Sequence, residues 1–418
     1  MFQKIRHLVE NNRLIFSNIS YMGVMQIANY VFPFITIPYL VKTLSKESFG
    51  VYSVGLILMS YIGIVIDYGF NLTATREIAI HKSDKKKLNA LSSAVFYIKI
   101  FFFVLISACG VIAASLHLFS FYTLFAFLLF AFGQVLFPVW FLQGVENMRI
   151  LTVFNTCSKT VSTISIFLLV KQPDAAEQSM VLYALGTFIA GITSFLYVVR
   201  KYSLQFVRTP YEALRRMVTD GFDIFLTSLF SNVIINGGAL VLGYFGGMKV
   251  VGIYSAIEKI ARAMIGVLSA VTQVIYPGIA RTLAQDKKAG IALIKNTGTV
   301  FMLFLSAGCI GLMLFSPWIL ELLYGSFYIP YSYVLCFLLV WVIFSFINNF
   351  IGIQFLVGSG NNKYYRKAFS ITTLYIIASF SLIKIFYLDG LIFSMLSGEL
   401  FLTLSMLFLI RKNKLLTA

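Results

Sequence analysis

Five basic residues stand inside long apolar runs of this chain: Lys99, Lys159, Lys259, Arg262 and Lys295. A charge at mid-bilayer costs about 2.5–3.5 kcal/mol on insertion scales, so such residues generally face an interior cavity and mark a pathway. Lys99 and Lys159 lie about eight and nine residues into their apolar segments, which at about 1.5 Å per residue is roughly 12–14 Å deep. Two readings are open for both: a cation in an interior cavity, or a snorkelling lysine whose stem reaches about 6 Å towards the interface. Lys295 is close enough to its segment end to snorkel. Glu258 and Arg262, at i,i+4, can pair and leave Lys259 less compensated. That cluster either neutralises itself in a packing contact or joins Lys99 and Lys159 around one anionic ligand. Phosphate suits such a set, because ammonium and guanidinium groups make charge-assisted hydrogen bonds to its oxygens and arginine can do so bidentately. A pyrophosphate brings two or three negative charges to the same place.

Membrane carboxylates are few. Glu399, about nine residues into the last apolar segment, and Glu258 and Asp67 are the candidates for carrying a coupling proton or sodium ion. Asp67 is also placed to pair with Arg76, and Asp220 and Asp223 to cap the start of an apolar helix near residue 219. Nothing in the sequence provides catalytic chemistry: it has no GxSxG elbow and no P-loop, and His7, His81 and His117 lack metal-ligand spacing. A non-enzymatic protein without cofactor or metal is expected. Cys109, Cys157, Cys309 and Cys336 all fall in apolar runs without paired spacing and read as packing residues.

The elements that must hold these residues are membrane helices. Of 418 residues, 59% are hydrophobic and 12% charged, and the mean hydropathy is +0.87; soluble domains carry roughly a quarter charged residues. Apolar runs of about 20 residues, the length that crosses a bilayer, fall near 14–41, 49–70, 91–115, 118–142, 151–170, 178–199, 219–245, 250–280, 291–315, 328–357, 368–386 and 390–410. The first carries Pro33 and Pro38 and is expected to bend. The eighth is too long for one crossing. A net charge of +17 would suggest nucleic acid in a soluble protein, but here its placement reads as topology. One set of alternate loops and both termini hold nearly all of it: Lys4, Arg6 and Arg13; Arg76 and Lys82 to Lys87; Arg149; Arg200 to Arg216; Arg281 to Lys288; Lys363 to Lys367; and Arg411 to Lys414. The opposite loops hold Lys42, Lys46, Lys171, Lys249 and Lys384. Cytoplasmic loops carry the excess, so both termini are expected in the cytoplasm. PheGlyValTyrSerVal (49–54) and ValGlyIleTyrSerAla (251–256) open the second and eighth spans in the same sense, which is the pattern of a transporter built from parallel repeats. The expected fold is an all-α polytopic membrane protein of about twelve transmembrane helices, in six-helix lobes at 1–200 and 219–418 joined by a cytoplasmic linker at 201–218.

Three segments then acquire a family likeness: ProPheIleThrIleProTyrLeu (33–40), LeuSerLysGluSerPheGlyValTyr (44–52) and AspTyrGlyPheAsnLeuThrAlaThrArgGluIleAla (67–79). They resemble the Wzx-type O-antigen flippases, in the superfamily that also holds multidrug and toxin extrusion antiporters and the lipid II flippases. The likeness is densest in the first 80 residues, and the spans and the repeat extend it along the chain. It implies a V-shaped pair of six-helix bundles in the inner membrane of a Gram-negative bacterium. It also implies a cationic lumen, ion-gradient coupling, and transfer of an undecaprenyl-pyrophosphate-linked O-antigen repeat unit to the periplasmic leaflet. Membrane lipid, an O-antigen polymerase and a chain-length regulator are the implied partners. Lys99, Lys159, Lys259 and Arg262 come from depth alone and match no family motif.

Two other functions fit less well. A multidrug antiporter of the same superfamily would use carboxylates deep in its first lobe to hold a proton or sodium ion, and the first span has none. A membrane polysaccharide polymerase or ligase would display a large outer loop with catalytic arginines or histidines, whereas the longest outer loop, 316–327, has no basic residue.

Overall fold

The computed structural model describes residues 13–415, all helix and connecting turn with no strand among them. Lys4, Arg6 and His7 lie outside the described residues. Among the described residues, nine helical segments are long and apolar enough to cross a membrane. One of them, Asn362–Lys412, holds two successive helices. Large apolar side chains such as Leu303, Phe304 and Leu374 are two-thirds or more exposed, an outward face suited to lipid and unsuited to water.

The chain's contacts divide it into two compact units, residues 1–36 with 51–233 and residues 37–50 with 234–418. Within the 201–218 segment expected as a linker, residues 203–210 are not helical and the next helix begins at Tyr211. Helix α1 (Arg13–Thr43) runs on through Pro33 and Pro38, and α2 (Lys46–Asp67) follows it. A short α3 (Thr73–Ile80) leads to α4 (Lys85–Ser115), which is capped by Asp84 through the backbone N–H groups of Lys86 and Lys87. The rest of the unit is α5 (Phe121–Leu136), a one-turn α6 (Val139–Gly144), α7 (Met148–Leu169), α8 (Ala176–Tyr202) and α9 (Tyr211–Asn232). Because α9 begins at Tyr211, directly after Pro210, Asp220 and Asp223 sit well inside a helix and cap nothing. Asp220 instead lies 3.8 Å from Arg216 one turn back. The cysteine expectation also divides: Cys309 is buried and Cys336 partly so, whereas Cys109 and Cys157 are exposed.

In the first unit, the segment AspTyrGlyPheAsn becomes a sharp reversal after α2. Tyr68 and Gly69 both take left-handed backbone angles, φ 42° and 83°, and Phe70 turns inward to become fully buried beside Ile78, Phe141 and Leu142. The Tyr68 ring stacks between Phe102 and Phe225, each with centroids 4.8 Å away. Gly69 is required twice over, by its angle and because a Cβ there would lie 2.9 Å from Ile224 on α9.

A π-helical turn, Val233–Gly237, lies at the boundary, and the second unit contains α10 (Gly238–Gly246), α11 (Met248–Gln285), α12 (Lys287–Leu314), α13 (Ser316–Tyr324), α14 (Ser332–Asn349), a second π segment (Phe350–Val357), α15 (Asn362–Ser379) and α16 (Ile383–Lys412). At 38 residues α11 exceeds a bilayer crossing, as its sequence implied. Residues 37–50 join this unit through Lys42 and Lys46. Lys42 donates to the Leu322 carbonyl at 2.8 Å, and the Lys46 ammonium lies 5.4 Å from the rings of Phe327 and Tyr328. The repeated motifs themselves meet here. A Cβ on Gly50 would fall 1.8 Å from the Met248 carbonyl oxygen, and one on Gly252 would fall 2.2 Å from that of Lys46. The corresponding glycine of each repeat lets the backbones of residues 46–50 and 248–252, both in this unit, come into direct contact, the small-residue packing that membrane helices favour.

Gly50→Ala and Gly252→Ala each force these backbones apart. A loss of at least about 1–3 kcal/mol is expected from overpacking, read as a lower midpoint of thermal unfolding for the purified protein in detergent. Ala at Gly23, which has open space around it, should leave the midpoint unchanged.

Candidate functional site

Within the first unit, α2, α5, α7, α8 and α9 enclose a cavity of about 510 Å³. Among apolar side chains its wall carries many polar ones: Asp67, Asn71, Gln134, Asn155, Lys159 and Asn232 contribute, with serines from α2, α7 and α9. Helix α7 brings Asn155, Ser158, Lys159 and Ser162 to one face, because residues three and four apart share a side of a helix. The ammonium of Lys159 has no carboxylate within ion-pair distance among the described residues. Of the two readings the sequence left open for Lys159, the cavity is the one realised. Apart from Asp67, the polar positions that accompany it were not singled out from the sequence, since Ser and Asn in an apolar run carry little signal until α5 and α8 close around them.

Lys99 is placed differently. Its side chain is 1% exposed and its ammonium lies 3.0 Å from an Asp67 oxygen, with the Gln134 carbonyl as a second acceptor at 3.3 Å. Lys99 neither snorkels nor reaches the cavity that Lys159 lines. It neutralises Asp67 from behind, while Asp67 keeps 28% exposure on the cavity wall and accepts a further hydrogen bond from the Asn71 amide. The expected Asp67–Arg76 pair is therefore replaced. The αL turn at Tyr68 and Gly69 carries Arg76 away on α3, whereas Lys99 on α4 stands directly behind the end of α2.

In the second unit Arg262 pairs with Glu258 as the i,i+4 spacing implied, and it also donates to the Ile235 carbonyl at 3.0 Å. Tyr254, from the repeated motif, donates to the same Glu258 carboxylate at 2.9 Å, so Tyr254, Glu258 and Arg262 form one ladder along α11. Lys259 adjoins Glu258 on that helix and has no carboxylate within ion-pair distance among the described residues. Glu399 on α16 is held by Asn348 on α14, whose amide donates to both its carboxylate and its backbone carbonyl, and Thr403 donates to the Asn348 oxygen at 2.7 Å. Asn348 was not among the residues singled out from the sequence.

Removing one partner of the Asp67–Lys99 pair leaves a buried charge uncompensated, at a cost of about 3–5 kcal/mol. Lys99→Ala and Asp67→Ala are each expected to reduce the yield and thermal stability of the detergent-solubilised protein sharply. The double variant Asp67→Asn with Lys99→Met should recover most of that stability.

Comparison with known proteins agrees with this architecture. The sequence profile of the family described as "Polysaccharide biosynthesis protein" matches residues 15–283. A protein of Escherichia coli (strain K12), named as a candidate O-antigen transporter, is 30% identical over 406 residues, covering 96% of this chain and 97% of its own length. Among solved structures, the lipid II flippase MurJ in an inward closed conformation superposes with a TM-score of 0.73 at 12% identity, covering 94% of this chain and 87% of that one. An inward-facing multidrug resistance MATE family transporter of the MOP superfamily superposes at 0.67 with 15% identity, covering 96% and 100%. At these identities the two structures show a shared two-lobe membrane-transporter fold. From the profile match and the full-length relative together, the chain is a multi-pass membrane protein that belongs to the polysaccharide biosynthesis protein family.

Proposed function

We propose that this protein flips a lipid-linked oligosaccharide, an undecaprenyl-pyrophosphate-bound O-antigen repeat unit, from the cytoplasmic to the periplasmic leaflet of the inner membrane. The observation that carries the proposal is the polar cavity of the first unit with the uncompensated Lys159 ammonium on its wall. A cation enclosed by membrane helices is costly unless an anion uses it, and a pyrophosphate head supplies that anion. The polar side chains around Lys159 offer hydrogen bonds to sugar hydroxyls. The prenyl chain needs no such cavity and stays in lipid. The relative named for O-antigen transport and the family match point to the same class of cargo.

In this reading Lys159 serves the anionic head and Lys99 supports the site by holding Asp67; Lys259 and Arg262 are the proposed anion-binding residues of the second unit. Glu258 and Glu399, each held by hydrogen-bonding partners within its own unit, are the proposed sites of ion coupling, with Asp67 as a third. The basic loops and both termini face the cytoplasm, the two lobes alternate access, and a polymerase and a chain-length regulator receive the product.

Deleting the gene should abolish long-chain surface O-polysaccharide, and wild-type protein supplied in trans should restore it. Lys159→Ala should restore about a tenth or less, the effect of losing one charge-assisted contact worth about 1.5–3 kcal/mol; Lys159→Arg should restore more. Membrane levels of each variant are followed by immunoblot. Full surface polysaccharide with Lys159→Ala at normal abundance would overturn the assignment.

A further inference from the structure

A second cavity, of about 460 Å³, opens beside the first and also lies wholly within the first unit. One wall is α3, with Thr73, Arg76 and Glu77; the other is α9, with Met217 and Asp220. The two cavities share two lining residues, Leu72 and Ile224. Leu72 is 64% exposed although it is a large apolar side chain, and it lines both cavities. Opposite it, Ile224 is brought close to the chain reversal because Gly69 has no side chain, while Gly221 on the same helix lets α9 approach the Tyr68 carbonyl, 2.8 Å from where a Cβ would stand.

Arg76 is the cation of this outer chamber. Since Asp67 is taken by Lys99, the guanidinium has no carboxylate within ion-pair distance among the described residues. The two acids beside it have other neighbours: Asp220 lies 3.8 Å from Arg216 and Glu77 lies 4.0 Å from His81. Arg76 also stands four residues after Leu72, so both lie on the same side of this short helical stretch.

We propose that this chamber is an entry site for a phosphate-bearing headgroup, with Arg76 as its ligand, and that Leu72 and Ile224 form an apolar gate between it and the Lys159 cavity. Two cation-bearing chambers in series give a charged head a stepwise path, in which neither site alone must bind tightly, and an apolar constriction between them excludes water and ions when no head occupies it. Arginine suits the outer site because its fork engages two phosphate oxygens at once. The phosphate identity rests on the flippase reading; the gate does not.

The test uses full-length protein in membrane vesicles, with its four cysteines replaced, and a membrane-impermeant thiol reagent applied to the face that carries Lys82 to Lys87. Two reporters are placed singly: Thr73→Cys in the outer chamber and Ser228→Cys in the inner one. Inorganic pyrophosphate should slow labelling of Thr73→Cys. Adding Arg76→Ala should weaken that protection about tenfold, the worth of one charge-assisted contact, and Arg76→Lys should weaken it less. Leu72→Ala should speed labelling of Ser228→Cys about tenfold while leaving that of Thr73→Cys unchanged. Protection that survives Arg76→Ala overturns the entry site. Labelling of Ser228→Cys that is unmoved by Leu72→Ala overturns the gate. If gene deletion leaves surface polysaccharide intact while both labelling effects appear, the transport reading fails and the two-chamber path stands.

Discussion

The Asp67–Lys99 ion pair sets the conditions for everything around it in the first unit. A carboxylate at the end of α2 would ordinarily seek the nearest cation along the chain, which is Arg76. The left-handed turn at Tyr68 and Gly69 removes that option by sending α3 away, and Lys99 on α4 takes its place at 3.0 Å. One buried contact thereby does three things. It satisfies an expensive lysine inside the membrane, it holds a carboxylate at the cavity wall, and it leaves Arg76 without an acid of its own. The stability of such a pair depends on both partners being present, because in a low-dielectric interior a single charge is far more costly than the matched set.

Glycine at close approaches is the second constraint. Membrane helices gain little from hiding apolar surface from one another, since lipid is as apolar as leucine, so tight backbone contact has to supply the association. Gly50 with Gly252 does this between the repeated motifs, and Gly69 with Gly221 does it where α9 meets the reversal after α2. In both places the glycines sit beside charged or polar machinery: the lysines around Phe327 and Tyr328 in one case, the two chambers in the other.

The acidic groups of the second unit follow a related logic with a different outcome. Glu258 is satisfied along its own helix, through Tyr254 and Arg262 at single-turn spacing, whereas Glu399 is satisfied across helices by Asn348. A ladder along one helix persists wherever that helix moves. A bond between α14 and α16 changes as soon as those helices shift, which makes Glu399 the more responsive of the two to movement within its unit.

The sequence by itself determined the class of protein and its apolar helices, because hydropathy and i,i+4 spacing are local properties that survive without knowledge of the fold. The Glu258–Arg262 pair was legible for that reason. Tertiary structure alone decided which buried cation would be spent on a neighbour and which would remain available. Lys99 and Lys159 are at equal depth and look alike in sequence, yet one faces Asp67 and the other a cavity, since that choice depends on how α2, α4 and α7 are rotated about their axes. The start of α9 at Tyr211 likewise moved Asp220 from a cap to a chamber wall. Side-chain direction about a helix axis is a long-range outcome of packing, and the order of residues along the chain does not contain it in readable form.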